Sequence, residues 1–306
     1  MTDLALSSYW MRRRWERVSD FFLAGVDSGF RSFEVSGLRS DAFYDEIHPG
    51  QFNIVSFHSP APPRHGASDV MESKEMCKFD IVLTSLDRER RQQAVTVVQR
   101  CIDVASEYGS QVVVLHLGRT GADPDLASRL GRLFLDGEIA SPQADAIRSR
   151  LTVERARQHE ERMLALMRSL DELVPYASPK GVRLGLENRP ICEVPSFDDV
   201  GQVLLSYPDD TVGYWHDTGH AQVQADLGIT PHADWLHAYG HRLIGLHVHD
   251  AVNLQVHQAP GTGSVDWASL AWLVPIRVPR IVEVDHTVSE KALLAGVGHL
   301  QSTGWV

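Results

Sequence analysis

The chain has 306 residues, 43% hydrophobic and 23% charged, an ordinary globular composition over a length that suits one α/β barrel as well as two smaller domains. Acidic residues outnumber basic ones 40 to 29, and the formal net charge of -11 repels polyanions, which argues against nucleic acid as the main partner. No uncharged apolar run reaches the roughly 18 residues of a membrane span. In MTDLALSSYWMRRRWERV the basic cluster follows the apolar segment, the reverse of a secretory signal, and three scattered cysteines, Cys77, Cys101 and Cys192, with no CxxC pair fit a reducing, cytoplasmic setting.

In chain order the first strand is LALSS (4–8), followed by a helical stretch over 11–29 and by strands SFEVSG (32–37) and FNIVSFHS (52–59). Residues 60–80, beginning PAPPRHGASD, read as an extended loop rich in proline, glycine and charge. A helix over 86–108 leads to the strand QVVVLHLG (111–118). Residues 119–146 form a second long connection, with a short helix at 124–136, before a helix over 147–176. The strand VRLGLEN (182–188) precedes a helix over 197–206, which Ser196 caps and whose first turn carries Asp198 and Asp199. Strands VGYWHD (212–217), RLIGLHVHD (242–250) and RIVEVD (280–285) follow, and a helix over 289–302 ends the chain. Eight strands alternating with helices predict an α/β fold: a single-domain (β/α)8 TIM barrel over 1–306, with extended βα loops on the C-terminal face. Neither GxGxxG nor GxxxxGK[ST] follows a strand, so a nucleotide-binding open sheet lacks its main support.

The chemistry sits at the strand ends. His58 closes FNIVSFH, His116 closes QVVVLH, Glu187 closes VRLGLE, Asp217 closes VGYWHD, His247 and His249 close RLIGLHVH, and Glu283 closes RIVE. In a barrel these ends converge on one mouth. An ionised carboxylate ending a buried run must be paired or metal-bound to offset its desolvation, and accidents at six strands are improbable. Glu187, Asp217, His247 and Glu283 would make a core site, and His58 and His116 would complete a second one with Glu187 as the bridge. Imidazoles and carboxylates without thiolate suit Mn²⁺ or Zn²⁺, with Fe²⁺ and Co²⁺ also admissible. Strand alternation puts His247 and His249 on one face and Asp250 on the other, and turns His216 away from Asp217. Gly219 is expected to let the chain turn so that His220 looks back at the mouth. His159, His232, His237, His241 and His299 read as surface residues, and Trp267 and Trp272 as packing.

The series VLHLG, LGLENRP, WHDTGHA, GLHVHDA, HQAPGTGSVDW and IVEVD resembles the xylose-isomerase-like barrel superfamily over roughly residues 30–300. That superfamily contains sugar isomerases and epimerases and the apurinic-site endonucleases. In the isomerase branch the resemblance implies a divalent metal on Glu187, Asp217, His247 and Glu283, proton exchange by the two glutamates, and a substrate oxygen held by His220. In the endonuclease branch it implies three zinc ions, with His58 and His116 on the first and His220 and His257 on the third. The sequence departs from that pattern at Gln255, where an aspartate is expected, and an amide is a poor replacement for a carboxylate ligand.

Two functions therefore stand against each other. The first is a metal-dependent isomerase or epimerase acting on a sugar, polyol or hydroxy-carbonyl compound through an enediolate, with Arg189 and His249 beside His220 as substrate contacts. The second is a multi-zinc phosphoesterase, which the surplus of histidines favours and which the net charge and Gln255 disfavour. For a DNA substrate the loop 60–80 offers only Arg64, His65, Lys74 and Lys78 among acidic residues. A small-molecule substrate and no membrane are expected, and a homo-oligomer is compatible with the sequence.

Overall fold

The computed structural model describes residues 4–11, 13–37, 41–64, 82–191 and 193–306. Eight parallel strands close into a barrel: β1 (Leu4–Ser7), β2 (Ser32–Val35), β3 (Asn53–His58), β4 (Val112–Leu115), β5 (Arg183–Glu187), β6 (Val212–Asp217), β7 (Leu243–Val248) and β8 (Arg280–Val282). Each pairs with its neighbours in sequence, and β1 pairs with β8 through Leu4–Arg280, Ala5–Ile281 and Leu6–Val282. All eight expected strands are present. Among the described residues no helix is long and apolar enough to cross a membrane.

The inside of the barrel is filled by Ala5, Val112, Val114, Trp215, Ile244 and Ile281. Trp215 takes most of that space because its neighbours give way. A Cβ on Gly245 would overlap its indole, and one on Gly185 would lie 3.2 Å from it. Below the mouth the barrel is thus a packed plug, as the fold requires. The larger core lies between the strands and the outer helices, where Val95, Val98, Leu166, Leu170, Val203 and Leu293 are buried.

The connections depart from expectation where pattern is weakest. The helical stretch expected over 11–29 is shorter, a 3-10 turn at Ser8–Met11 and then a helix at Val18–Asp27. The single helix expected over 147–176 is two, Pro142–Ala156 and His159–Ala177, separated at Arg157–Gln158. Together with Pro124–Leu135 the first of these packs Leu126, Leu130, Ile147 and Leu151 against Val223 and Leu227 in a small core of its own. Helices at Thr218–Asp226 and His232–Tyr239 were not expected. Residues 218–224 are buried on every side, so no apolar stripe marks the first of them. Two antiparallel ribbons extend the C-terminal face, Gly118–Arg119 with Glu193–Val194 and Asp250–Val252 with Gln255–Gln258. Of the expected loop 60–80, residues 65–80, including His65, Lys74 and Lys78, lie outside the described residues; Arg64 pairs with Glu107 and stacks on Tyr44.

Candidate metal centre

Alternation along each strand decides what enters the mouth. On β6, Trp215 and Asp217 face the barrel interior, whereas Tyr214 packs in the outer core. His216 follows Tyr214 outward: its Nδ1 meets the Tyr214 hydroxyl at 2.7 Å and its Nε2 meets His232 at 3.1 Å, as strand alternation predicts. His232 is correspondingly buried and bonded to Gln222, which corrects its reading as a surface residue. Of the other histidines read that way, His159 lies half-exposed against Asp199.

At the mouth, Glu187 ends β5, Asp217 ends β6, His247 stands one residue inside the end of β7, and Glu283 follows β8 by one residue. All four are buried. His247 Nδ1 lies 3.1 Å from Glu187 Oε1, 3.5 Å from Asp217 Oδ2 and 3.4 Å from Glu283 Oε2. On the other side of Glu187, the Nε2 atoms of His58 and His116 lie 3.3 and 2.7 Å from Oε2. The two oxygens of one carboxylate therefore serve two groups, and the ligand atoms within each group, Glu187–Asp217–His247 and His58–His116–Glu187, fall within 4.8 Å of one another.

Asp217 also caps the helix Thr218–Asp226, accepting the His220 N–H at 2.7 Å, and so brings the His220 ring to the mouth. His220 Nδ1 stands 3.3 Å from Asp217 Oδ2 and 3.5 Å from Glu187 Oε1. Gly219 has a different purpose from the one expected. It lies within the helix, and a Cβ there would overlap the ring of His249, whose Nε2 reaches Asp217 Oδ2 at 2.9 Å. His249 thus contacts a carboxylate of the core site. Arg189 is only 14% exposed; its Nε donates to Glu193 at 2.8 Å, and Nη1 lies 3.7 Å from Glu187 Oε2 and 3.3 Å from His220 Nε2. His257, at a positive φ of 60° in the second ribbon, puts Nδ1 3.6 Å from Glu283 Oε2 and stacks between Tyr9 and His249. Gln255 is exposed.

Several residues at the mouth escaped the sequence reading. Glu34, inside β2, is fully buried and lies 3.1 Å from His247 Nε2. Its signal was an acid in the middle of a short apolar strand: Phe33 and Val35 pack in the outer core, so alternation turns Glu34 into the barrel. Ser36 donates to Glu283 Oε1 at 3.0 Å. Asn188 fixes the end of β6, accepting the Asp217 N–H at 2.7 Å and donating to the Asp217 carbonyl at 3.0 Å. Asp250 does turn away from the two histidines of β7: its carboxylate accepts from the N–H groups of Ala251, Gly261 and Val265 and from the Trp267 indole, and shapes the loop 259–267. Trp267 is buried as expected, whereas Trp272 is 90% exposed and does not pack.

Burial would raise the Glu187 carboxyl, but the charges of His116 and Arg189 outweigh it and hold the group well below the usual carboxylate range. The same contest, with His220 and His249 as partners, holds Asp217 well below its ordinary value. For His247, burial is outweighed by Glu283 and Glu34, which push it well above the usual imidazole value. Burial dominates at His220 and His257, and both are pushed down to about 3.

Four carboxylates, Glu34, Glu187, Asp217 and Glu283, are thus 0–3% exposed around one imidazole. Among the described residues the one Arg or Lys side chain within 4 Å of any of them is Arg189, itself shared with Glu193. Such an excess of buried carboxylates over permanent cations fits a bound cation. Oxygen and imidazole donors from Glu187, Asp217, His247 and Glu283 suit a divalent ion of the Mn²⁺–Zn²⁺ kind.

A family model described as a xylose isomerase-like TIM barrel matches residues 26–301. The fold is similar to that of 3-keto-D-glucoside 4-epimerase from E. coli, with 15% identity, 99% of this chain and 100% of that one covered, and a TM-score of 0.65. It is also similar to D-psicose 3-epimerase from Clostridium cellulolyticum, solved with D-tagatose (13% identity, 99% of both chains, TM-score 0.63). A third similar structure is a protein from Thermus thermophilus soaked with zinc chloride (19% identity, 99% of this chain and 98% of that one, TM-score 0.60). No curated protein matches the chain by sequence.

Proposed function

Because the chain belongs to the xylose isomerase-like TIM barrel family, we propose that it is a divalent-metal-dependent isomerase or epimerase acting on a sugar or related hydroxy-carbonyl compound by proton transfer through an enediolate. The observation that carries this reading is the pair of buried glutamates, Glu187 from β5 and Glu283 from β8, flanking Asp217 and His247 and both reaching the same imidazole nitrogen. When bound, the metal would polarise the substrate carbonyl and acidify the adjacent C–H. Glu187, held ionised, is ready to take that proton, and Glu283, in its protonated form, would return one to the enediolate, the two exchanging roles in the reverse reaction. His220, neutral near pH 7, and the guanidinium of Arg189 orient substrate oxygens beside Glu187. Solved structures with this fold include epimerases of ketoses and of a keto-glucoside, which supports a ketose or keto-glycoside as the substrate. The test is incubation with Mn²⁺ in D₂O and a panel of ketohexoses and 3-keto-glycosides. Deuterium entering the carbon beside the carbonyl, with an epimer or isomer formed, is the expected result. No exchange on any panel member, in protein shown to hold metal, contradicts it.

The second reading, a phosphoesterase with more than one zinc, draws on the split contacts of Glu187, whose second oxygen faces His58 and His116. Hydrolysis of phosphate esters by the zinc-loaded protein, without proton exchange on sugars, would decide for it.

A further inference from the structure

Resting on the metal reading of the mouth, we propose that Glu34 is a positioning residue that fixes which nitrogen of His247 faces the metal. A carboxylate can only accept hydrogen bonds. Oε1 of Glu34 accepts the Ser7 hydroxyl at 3.1 Å and Oε2 accepts the Ser56 hydroxyl at 2.8 Å, so the group is tethered from β1 and β3. Both oxygens also lie 3.1 Å from His247 Nε2. The atom of His247 that faces Glu34 is therefore an N–H donor.

A metal-binding imidazole is neutral and carries one N–H, and with it on Nε2 the lone pair belongs to Nδ1. That lone pair looks at Glu187 Oε1, Asp217 Oδ2 and Glu283 Oε2, at 3.1 to 3.5 Å. A lone pair among three carboxylate oxygens is the arrangement that a metal ion standing between them would satisfy. The ring is also confined: Trp215 meets it edge-on at 5.2 Å between centroids, and His58 stands nearly parallel to it at 5.7 Å. The Ser7 hydroxyl, which also lies 3.4 Å from Glu283 Oε1, links this support to the carboxylate on the far side of the site. Glu34 thus acts through His247: it orients the ring, sets its tautomer and raises the basicity of Nδ1.

The test compares the wild-type protein with Glu34→Ala and Glu34→Gln. Zn²⁺ and Mn²⁺ affinities are measured by competition with a fluorescent chelator, and long-range ¹H–¹⁵N spectra of the zinc-loaded proteins locate the His247 proton, assigned with a His247→Gln variant. The wild-type spectrum is expected to show the proton on Nε2 and zinc on Nδ1. Glu34→Ala should bind both metals about 10- to 100-fold more weakly. Glu34→Gln should lose less, because the amide oxygen can still accept the Nε2 hydrogen. A loss of packing alone would not move the proton, and if Glu34→Ala does not fold, the Gln variant and the wild-type spectrum decide. A proton on Nδ1 with zinc on Nε2 overturns the proposal, as does undiminished affinity in both variants. A wild-type protein that binds neither metal removes the reading of the mouth itself, and this inference with it.

Discussion

Asp199 and Asp217 are both buried aspartates at the start of a helix, and both touch histidine, but their surroundings differ in charge. Asp199 accepts from the Arg155 guanidinium, from His159 at 2.7 Å and from the Ser196 backbone N–H at 2.7 Å, within a capping box on Phe197–Ser206. One carboxylate meets one permanent cation, and the cluster is complete. Asp217 meets His220, His247 and His249, but those histidines are shared with Glu187, Glu283 and Glu34, so four carboxylates face one permanent cation, Arg189, and a set of titratable imidazoles. The same residue types thus make a structural tie in one place and a proposed cation site in the other. Stoichiometry separates them, not burial or the presence of histidine.

The largest effects are expected at the mouth. Replacing both Glu187 and Glu283 by Gln should lower isomerase or epimerase turnover by more than about 10³-fold while circular dichroism shows the barrel intact. Asp199→Asn should do the opposite: metal affinity stays unchanged, while denaturant unfolding shows a loss of about 3 kcal/mol near neutral pH. Burial would raise the Asp199 carboxyl, and Arg155 with the Ser196 N–H outweighs it to hold the group below its usual value. A depressed folded-state value stabilises above the ordinary carboxylate range and is lost as pH falls through it. The gap between Asp199→Asn and wild type should therefore close in acid.

Chelation sharpens the same contrast. With metal at 100 times its Kd, removing it should cost about 2.7 kcal/mol, in wild type and in Asp199→Asn alike, and nothing in the double Gln variant. The smallest expected effect is that of Gly219→Ala, whose methyl group must displace the His249 ring from Asp217. A loss of about 1–2 kcal/mol, with weaker metal binding, is expected from the overpacking. Unchanged affinity there would show that His249 does not help to set Asp217.

Much of this was legible from strand ends. Six apolar runs closing in His, Asp or Glu reveal both the barrel and the residues it brings together, because a barrel sends all its strand ends to one face. Strand alternation separates His216 from Asp217 without further information. Glu34 was hidden because it stands inside a short strand, not at its end, and reaches the mouth by way of His247. The helix Thr218–Asp226 was hidden because an element covered on all sides shows no periodic stripe, and the burial of His232 was hidden because its partners, His216 and Gln222, lie on other elements. The interruption at Arg157–Gln158 leaves no proline or glycine to mark it.

The reading of the mouth requires a divalent ion among its four carboxylates. Anomalous diffraction from crystals grown with Mn²⁺ tests it most directly. The expected result is an ion held by Glu187, Asp217, His247 Nδ1 and Glu283. A mouth free of anomalous signal at saturating Mn²⁺, and again at saturating Zn²⁺, would contradict it.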